Sequence, residues 1–320
     1  MKKVWIDTDP GVDDIVALAM LFESPQIEIV GISTIFGNTT VDLATKNAKI
    51  ILEAEGKESI PLARGASFPL YVSLDTSPFV HGENGLGNMT LPTPKMNEQL
   101  QLAPQAIINK IFTHPNEITL LLIGPLTNIA MAYLIEPKIA DLVKELVIMG
   151  GAVHCPGNIT PVAEANFFHD PHAAQIVISA GWQITLAGLD VCSTSSMISS
   201  TLLNKIITAG KPLSPYIAGA LPFYQNFLAN LNIYDRADFP DTLAASFLLE
   251  PEIFTIEKTP LFIETNGSCL GQSVPVPAGK WYQDVEDETV YKADETISPV
   301  SVLVKENSEQ YFQLVEKLLT

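Results

Sequence analysis

The sequence has few cysteines and no apolar run of membrane length. Three cysteines, Cys155, Cys192 and Cys269, occur in 320 residues, and no two of them form a CxxC pair. This spacing argues against a disulfide framework and against a thiolate zinc site. The longest apolar stretch, residues 118–135, is interrupted by Gly124-Pro125 and falls short of the roughly 20 residues of a membrane helix. We therefore expect no association with a membrane.

Positive charge is also scarce. The 36 acids outnumber the 18 lysines and arginines, and the formal net charge is -18. A surface with this charge repels nucleic acids and anionic membranes, so neither is an expected partner. The N-terminal sequence reaches an acid at position 7, too early for the apolar core of a signal peptide. We expect a cytoplasmic protein.

Short apolar runs alternate with helical patterns over most of the chain. The strand candidates are residues 3–6, 27–35, 118–123, 145–149 and 183–188, and the helix candidates are 12–22, 43–55, 126–135 and 171–179. Strands that are apolar on both faces and separated by helices indicate a parallel sheet covered on both sides. We predict one α/β domain over residues 1–320, with a mostly parallel, open, Rossmann-like sheet and inserted loops.

The C-terminal third is predicted with less regular structure. A helix with a kink at Pro222 is expected over residues 213–234, an irregular or β-rich segment over 255–302, and a closing helix over 304–318. Three aspartates are predicted to cap helices because a proline adjoins each of them: Asp9, Asp170 and Asp241.

Four motifs follow predicted strands and are therefore expected at one edge of the sheet. They are DTDPGVDD at residue 7, FGNTT at 36, GPLTN at 124 and MGGAVHCPGN at 149. In open α/β sheets, ligands bind beyond the carboxyl ends of the strands. We expect the functional site at this edge.

The first motif places four acids, Asp7, Asp9, Asp13 and Asp14, in eight positions. A helix N-terminus stabilises each nearby acid by only about 0.3 to 1 kcal/mol, which is too little to offset such a cluster. A divalent cation would offset it. Oxygen ligands without nearby cysteine or histidine favour Ca²⁺ or Mg²⁺. Helix capping explains single members of the cluster but not all four.

Together the motifs resemble those of the nucleoside hydrolase family of the inosine-uridine-preferring type. DTDPGVDD, FGN, HGENGLG, GPLTN, MGGA, GNITPVAEAN and DPHAA occur in the order of that family between residue 3 and about residue 250. The resemblance implies Ca²⁺-dependent hydrolysis of the N-glycosidic bond of ribonucleosides to ribose and a free base. It also implies a homodimer or homotetramer.

The resemblance further implies a role for each motif residue. The residues implied to bind the metal are Asp9, Asp14, Asp241 and the backbone carbonyl of Thr127. Asp9 is also implied to be the general base, and Asp7 is implied to lie behind the metal ligands without contacting the metal. Ribose binding falls to Asp13, Asn38, Asn158, Glu164 and Asn166, with Asn166 also counted as catalytic. Taken alone, Asn158 could instead be a turn residue and Glu164 a surface charge.

One position departs from the family pattern. The family commonly has a histidine just before the last metal aspartate, where it protonates the leaving base, and this sequence has Pro240 there. His81 either replaces that acid, as a catalytic residue in the base pocket, or only orders its loop. Tyr224 and Tyr234 are further candidates, and solvent is another. The aromatic residues available to stack on a base are Phe167, Phe168, Phe223, Tyr224 and Trp281, and they do not decide between purines and pyrimidines.

Two other functions fit parts of the sequence. The substitution at Pro240 is compatible with a ribose- or nucleoside-binding protein with weak or lost catalysis. A strand followed by DxD is also found in phosphohydrolases of the haloacid dehalogenase type. That family needs a hydroxylated residue two positions after the second aspartate, where this chain has Gly11.

Overall fold

A central β-sheet organises the molecule. The computed structural model describes residues 1–96, 101–192, 196–276 and 298–320. Along the chain the strands are β1 (Lys2–Thr8), β2 (Ile27–Thr34), β3 (Leu62–Arg64), β4 (Ile118–Leu122), β5 (Glu145–Ile148), β6 (Ile184–Leu186), β7 (Ile198–Ser199), β8 (Arg236–Ala237), β9 (Phe254–Thr259), β10 (Leu261–Ile263), β11 (Ser273–Pro275) and β12 (Val300–Glu306).

Helices connect most of these strands. They are α1 (Val12–Glu23), α2 (Val41–Ala54), α3 (Pro78–His81), α4 (Ala103–Thr113), α5 (Thr127–Ile135), α6 (Ile139–Leu142), α7 (Ala165–His169), α8 (Pro171–Ser179), α9 (Ser200–Thr208), α10 (Ser214–Asn230), α11 (Pro240–Leu249) and α12 (Ser308–Leu319). Short 3-10 turns occur at Pro251–Ile253 and Gly267–Cys269. No helix in these parts of the chain is long and apolar enough to cross a membrane.

The main sheet has eight strands in the order β3-β2-β1-β4-β5-β6-β12-β9. Every neighbouring pair is parallel except β12 and β9 at one edge. The chain runs outward from β1 to β3 and then resumes on the other side of β1 with β4. The direction of winding therefore reverses between β1 and β4, which is where open sheets of this kind bind their ligands.

Alternating side chains of the strands supply a core on each face of the sheet. Val4 and Ile6 of β1 pack in one buried cluster, which contains α1, α11 and α12. Trp5 of the same strand packs in the other cluster, which contains α4, α5 and α8. Both faces of β1 are therefore buried from solvent, as the sequence predicts for a parallel sheet covered on both sides.

The predicted sheet and most of its helices are confirmed, with ends shifted by a few residues. The helix predicted over residues 213–234 is α10, which ends at Asn230 and contains Pro222. The closing helix begins at Ser308 because β12 occupies residues 300–306. The segment 255–302 does contain β-structure in its described part, and Trp281 lies outside the described residues.

Of the three predicted caps, one is confirmed and two are wrong. Asp170 accepts a hydrogen bond from the Ala173 N–H at 3.0 Å. Asp9 caps nothing, because α1 begins only at Val12 and Gly11 is its N-cap. Asp241 lies inside the first turn of α11, because Pro240 fits the first helical position and moves the cap to Phe239.

Candidate active site

The first acids of DTDPGVDD lie at the carboxyl end of β1, beside the point where the winding reverses. Asp7 accepts hydrogen bonds from the Ser33 hydroxyl and, at 2.9 Å, from Asn128 Nδ2. Asp9 follows the strand and accepts the Asn38 N–H at 2.6 Å through Oδ2. Its other oxygen faces Gly124, where a Cβ would lie 2.6 Å away. Glycine is needed at that position because the backbone passes so close to the carboxylate.

Asp14 is held from several directions in the first turn of α1. Its oxygens accept hydrogen bonds from the Thr8 hydroxyl at 2.5 Å, from the Gly11 N–H at 2.9 Å and from Asn38 Nδ2 at 2.9 Å. Asn38 therefore contacts both Asp9 and Asp14, one through its backbone and one through its side chain. These contacts place FGN beside DTDPGVDD, as predicted for motifs at one sheet edge.

The structure brings three acids together in an arrangement that can hold a metal ion. Asp13, Asp14 and Asp241 each offer a carboxylate oxygen, and these oxygens lie within 4.8 Å of one another. Asp9 is not part of this group but lies near it. Among the described residues, Asp9 Oδ1, Asp13 Oδ1 and Asp241 Oδ2 are buried and have no hydrogen-bond partner. Buried carboxylate oxygens without partners fit a hard divalent cation.

Burial raises the pKa of every acid in this cluster. The pKa of Asp7 rises to about 7, and those of Asp13 and Asp14 rise to about 6. The pKa values of Asp9 and Asp241 lie well above the usual range, first because of burial and then because of the neighbouring carboxylates. The protein thus keeps several acids where ionisation is unfavourable unless a positive charge joins them.

A cavity of about 230 Å³ adjoins the acids. Its polar lining includes Asp13, Asn38, His81, Asn158, Glu164, Asn166, Asp238 and Asp241. Its apolar lining includes Phe79, Ile123, Met149, Tyr224, Phe227, Leu228, Leu231 and Ile233. Asp9, Asp14 and Thr127 do not line it. A cavity with a few polar groups among apolar walls is typical of a site for a small molecule.

Glu164 and Asn166 are fixed in the cavity wall at the start of α7. Glu164 is 1% exposed, which excludes a surface charge. It caps α7 by accepting the N–H groups of Asn166 and Phe167, and it also accepts the Gly151 N–H at 2.9 Å. Asn166 Nδ2 donates to the Met149 carbonyl at 3.1 Å. Asn158 is exposed on its turn, and its Oδ1 accepts the Ala165 N–H at 3.0 Å.

The GPLTN motif contributes two buried residues to the region. Thr127 begins α5, and its hydroxyl donates to Asp170 Oδ2 at 2.7 Å. Asn128 was not singled out from the sequence, although it lies inside the motif. It donates to Asp7 and to the Thr34 carbonyl, and it accepts the Ala66 N–H. Asn128 therefore links β1, β2 and the loop after β3 beneath the acids.

His81 and Tyr224 lie next to each other in the cavity wall, with ring centroids 6.2 Å apart and planes at 21°. His81 Nδ1 accepts the Val12 N–H at 3.2 Å and lies 3.8 Å from Asp13. Burial lowers the pKa of His81 to about 4, although the charge of Asp14 opposes the shift. Tyr224 donates its hydroxyl to the Asp238 carbonyl at 2.7 Å. Tyr234 is 61% exposed and does not line the cavity.

The aromatic lining differs from the set proposed from the sequence. Tyr224 lines the cavity, but Phe167 is fully buried in the core, and neither Phe168 nor Phe223 reaches the lining. Phe79 and Phe227 line it instead. They come from α3 and α10, which are far apart in the sequence, so only the tertiary contact between these helices reveals them.

Acids buried where a parallel sheet reverses its winding, beside a cavity of mixed polarity, define an α/β enzyme with a small polar substrate. Residues 4–313 match the family described as inosine-uridine preferring nucleoside hydrolase. The chain belongs to this family, whose enzymes hydrolyse N-glycosidic bonds. The resemblance predicted from the motifs is confirmed. The phosphohydrolase and binding-protein alternatives are not favoured.

Individual relatives support this placement over nearly the whole chain. A probable uridine nucleosidase 1 of Oryza sativa subsp. japonica is 34% identical over 318 residues, covering 99% of this chain and 96% of that protein. An inosine-uridine preferring nucleoside hydrolase of Leishmania major is 36% identical, covering 83% of this chain and 85% of that protein. The solved structure of a plant nucleoside hydrolase superimposes with a TM-score of 0.92 at 31% identity, covering 100% of this chain and 99% of that one.

Proposed function

We propose that this chain hydrolyses ribonucleosides to ribose and a free base with the help of a bound Ca²⁺. The main support is the group of buried acids with unpartnered oxygens beside the cavity. Relatives that are named for uridine or for inosine and uridine make these two nucleosides the first substrates to test.

The residues proposed to hold the cation are the side chains of Asp9, Asp14 and Asp241 and the backbone carbonyl of Thr127. They form an all-oxygen set, which suits calcium. Two of the four buried, unpartnered carboxylate oxygens in the described part of the chain belong to Asp9 and Asp241. When bound, Ca²⁺ would lower the pKa of a coordinated water molecule and position it for attack on the sugar.

Asp9 is the proposed general base for that water. Its Oδ2 is held by the Asn38 N–H, which leaves Oδ1 to accept a proton. Without a bound cation, burial and the neighbouring Asp14 and Asp13 carboxylates raise the pKa of Asp9, and a cation at the site would favour its ionised form, which is the form that accepts a proton.

The ribose is proposed to lie against the polar wall of the cavity. Asp13 would accept a hydrogen bond from the 2′-hydroxyl, with Asn38 beside it. The other two hydroxyls would contact Asn158, Glu164 and Asn166. Cleavage of a glycosidic bond passes through a state with positive charge on the sugar, and Asp13 and Glu164 place negative charge where it develops. His81 and Tyr224 would contact the base.

Release of ribose from a panel of ribonucleosides tests this proposal. We expect the calcium-loaded protein to release reducing sugar from inosine, uridine or another member of the panel. Chelation should abolish the release, and added calcium should restore it. Failure to hydrolyse any purine or pyrimidine ribonucleoside, or p-nitrophenyl riboside, with calcium present would refute the proposal.

The proposal also includes assembly into a homodimer or homotetramer, which sedimentation velocity of the purified chain would test. A monomer at micromolar concentration would contradict this part. The cytoplasmic location stays a prediction from the sequence.

A further inference from the structure

Asp238 shares a wall of the cavity with Pro240, the position where the family pattern has its histidine. It follows β8 and precedes the first turn of α11. Asp238, Pro240 and Asp241 all line the cavity, whereas Phe239 between them is 1% exposed and packs in the core. The backbone of Phe239 has φ of -135° and ψ of 79°. Residues 238 and 240 therefore line the cavity at neighbouring points of one wall, on either side of a buried core residue.

The carboxyl group of Asp238 is only partly satisfied by hydrogen bonds from the protein. Its Oδ1 is buried and has no hydrogen-bond partner among the described residues. The pKa of Asp238 is raised to about 7, chiefly by burial and also by the charges of Asp13 and Glu306, while a hydrogen bond from the Phe239 N–H opposes the shift. A buried polar atom without a partner is unfavourable unless a ligand supplies one.

The other polar groups of this wall are less suited to give up a proton. The Tyr224 hydroxyl already donates to the Asp238 carbonyl, and burial raises its pKa well above the usual range. His81 uses Nδ1 to accept the Val12 N–H, and its pKa of about 4 makes it a neutral imidazole near pH 7. A neutral imidazole holds its remaining proton tightly. His81 can therefore donate a hydrogen bond to the base but is a weak acid.

We propose that Asp238 is the general acid that protonates the leaving base, in place of the histidine that Pro240 replaces. This inference rests on the proposed nucleoside hydrolysis. The carboxylic acid of Asp238 gives its proton to a nitrogen or oxygen of the base. The N-glycosidic bond breaks, and its electron pair stays with the base. The oxygen of water bonds to C1′ of the sugar while its proton passes to Asp9. Solvent then returns a proton to Asp238 and removes one from Asp9.

The substitution Asp238→Asn, assayed on two kinds of substrate, tests the proposal. Asparagine keeps the shape of the side chain but cannot protonate the base. We expect kcat for uridine and inosine to fall about 10²- to 10⁴-fold, and kcat for p-nitrophenyl riboside to fall no more than about tenfold. The p-nitrophenolate ion leaves without a proton, so a change in the ratio of the two rates reports on the acid rather than on general damage.

Asp235→Asn is the matched control, because Asp235 is exposed on the same segment and does not line the cavity. For Asp235→Asn, the ratio of nucleoside turnover to p-nitrophenyl riboside turnover should equal that of the wild-type protein. Asp238→Ala is the second variant and should show the same loss of nucleoside turnover. Equal losses on both substrates, or full turnover of nucleosides by Asp238→Asn, would overturn the role of Asp238 as the acid but leave the proposed function intact. A wild-type protein that hydrolyses neither substrate would instead overturn the proposed function.

Discussion

Asp7 makes the stability of the calcium-free protein depend on pH. Its side chain is 1% exposed, and its pKa rises from 3.8 to about 7 because burial outweighs the hydrogen bonds from Ser33 and Asn128. The folded protein therefore binds this proton more tightly than the unfolded chain does. The resulting stabilisation is fully present below pH 4 and is lost as the pH rises through 7.

The size of the effect follows from the two pKa values. A shift of about three units corresponds to about 4 kcal/mol. Between pH 5 and pH 8 the folded protein should lose about 3 kcal/mol of that stabilisation. Asparagine at position 7 cannot ionise and can still accept the hydrogen bonds from Ser33 and Asn128. Asp7→Asn should therefore remove this part of the pH dependence.

Urea unfolding at pH 5 and pH 8, in the presence of a chelator, measures the effect. The free energy of unfolding of the wild-type protein should fall between these pH values by about 3 kcal/mol more than that of Asp7→Asn. Asp141→Asn is the control for the loss of an exposed carboxylate. Equal pH dependence in wild type and Asp7→Asn would refute the reasoning.

Three further predictions concern the base, the sugar and the core. His81→Ala should lower kcat/KM for nucleosides by up to about tenfold, which is the contribution of one neutral hydrogen bond. It should lower kcat/KM for p-nitrophenyl riboside by less, and equal losses on the two substrates would exclude a contact between His81 and the base. Wild-type kcat/KM for 2′-deoxyuridine should be about 10- to 100-fold below that for uridine, because Asp13 loses its partner, and equal values would exclude that contact. Phe239→Ala should lower the free energy of unfolding, measured in urea, by about 3 to 5 kcal/mol. The control Phe68→Ala, at a site 67% exposed, should change it by less than about 0.5 kcal/mol. A similarly small change for Phe239→Ala would contradict the packing of Phe239 in the core.

The central strands and helices could be predicted because their signals are local. β1, β4 and β5 are short apolar runs, and α8 begins with the Asp170-Pro171 cap. The edge of the sheet beyond β6 could not be predicted in this way. There β12 pairs with β6 across more than 100 residues of chain, so its place depends on tertiary contacts.

Within the site, the motifs indicated the acids but not their surroundings. Asp9 looked like a helix cap because a proline follows it, but α1 begins only after Pro10 and Gly11, and the Asp9 carboxylate faces Gly37 and Gly124. Asp238 carried one usable signal, its position two residues before Pro240. Its unpartnered oxygen and its burial became visible only in the folded chain.

The central claim is that the buried acids hold a cation and that Asp9 activates water for nucleoside hydrolysis. Ribose release from uridine and inosine by Asp9→Ala, with saturating calcium and with the wild-type protein in parallel, tests it most directly. We predict that the wild-type protein releases ribose and that Asp9→Ala loses at least about 10²-fold in kcat, the usual contribution of a general base. An Asp9→Ala protein as active as the wild type would contradict the claim.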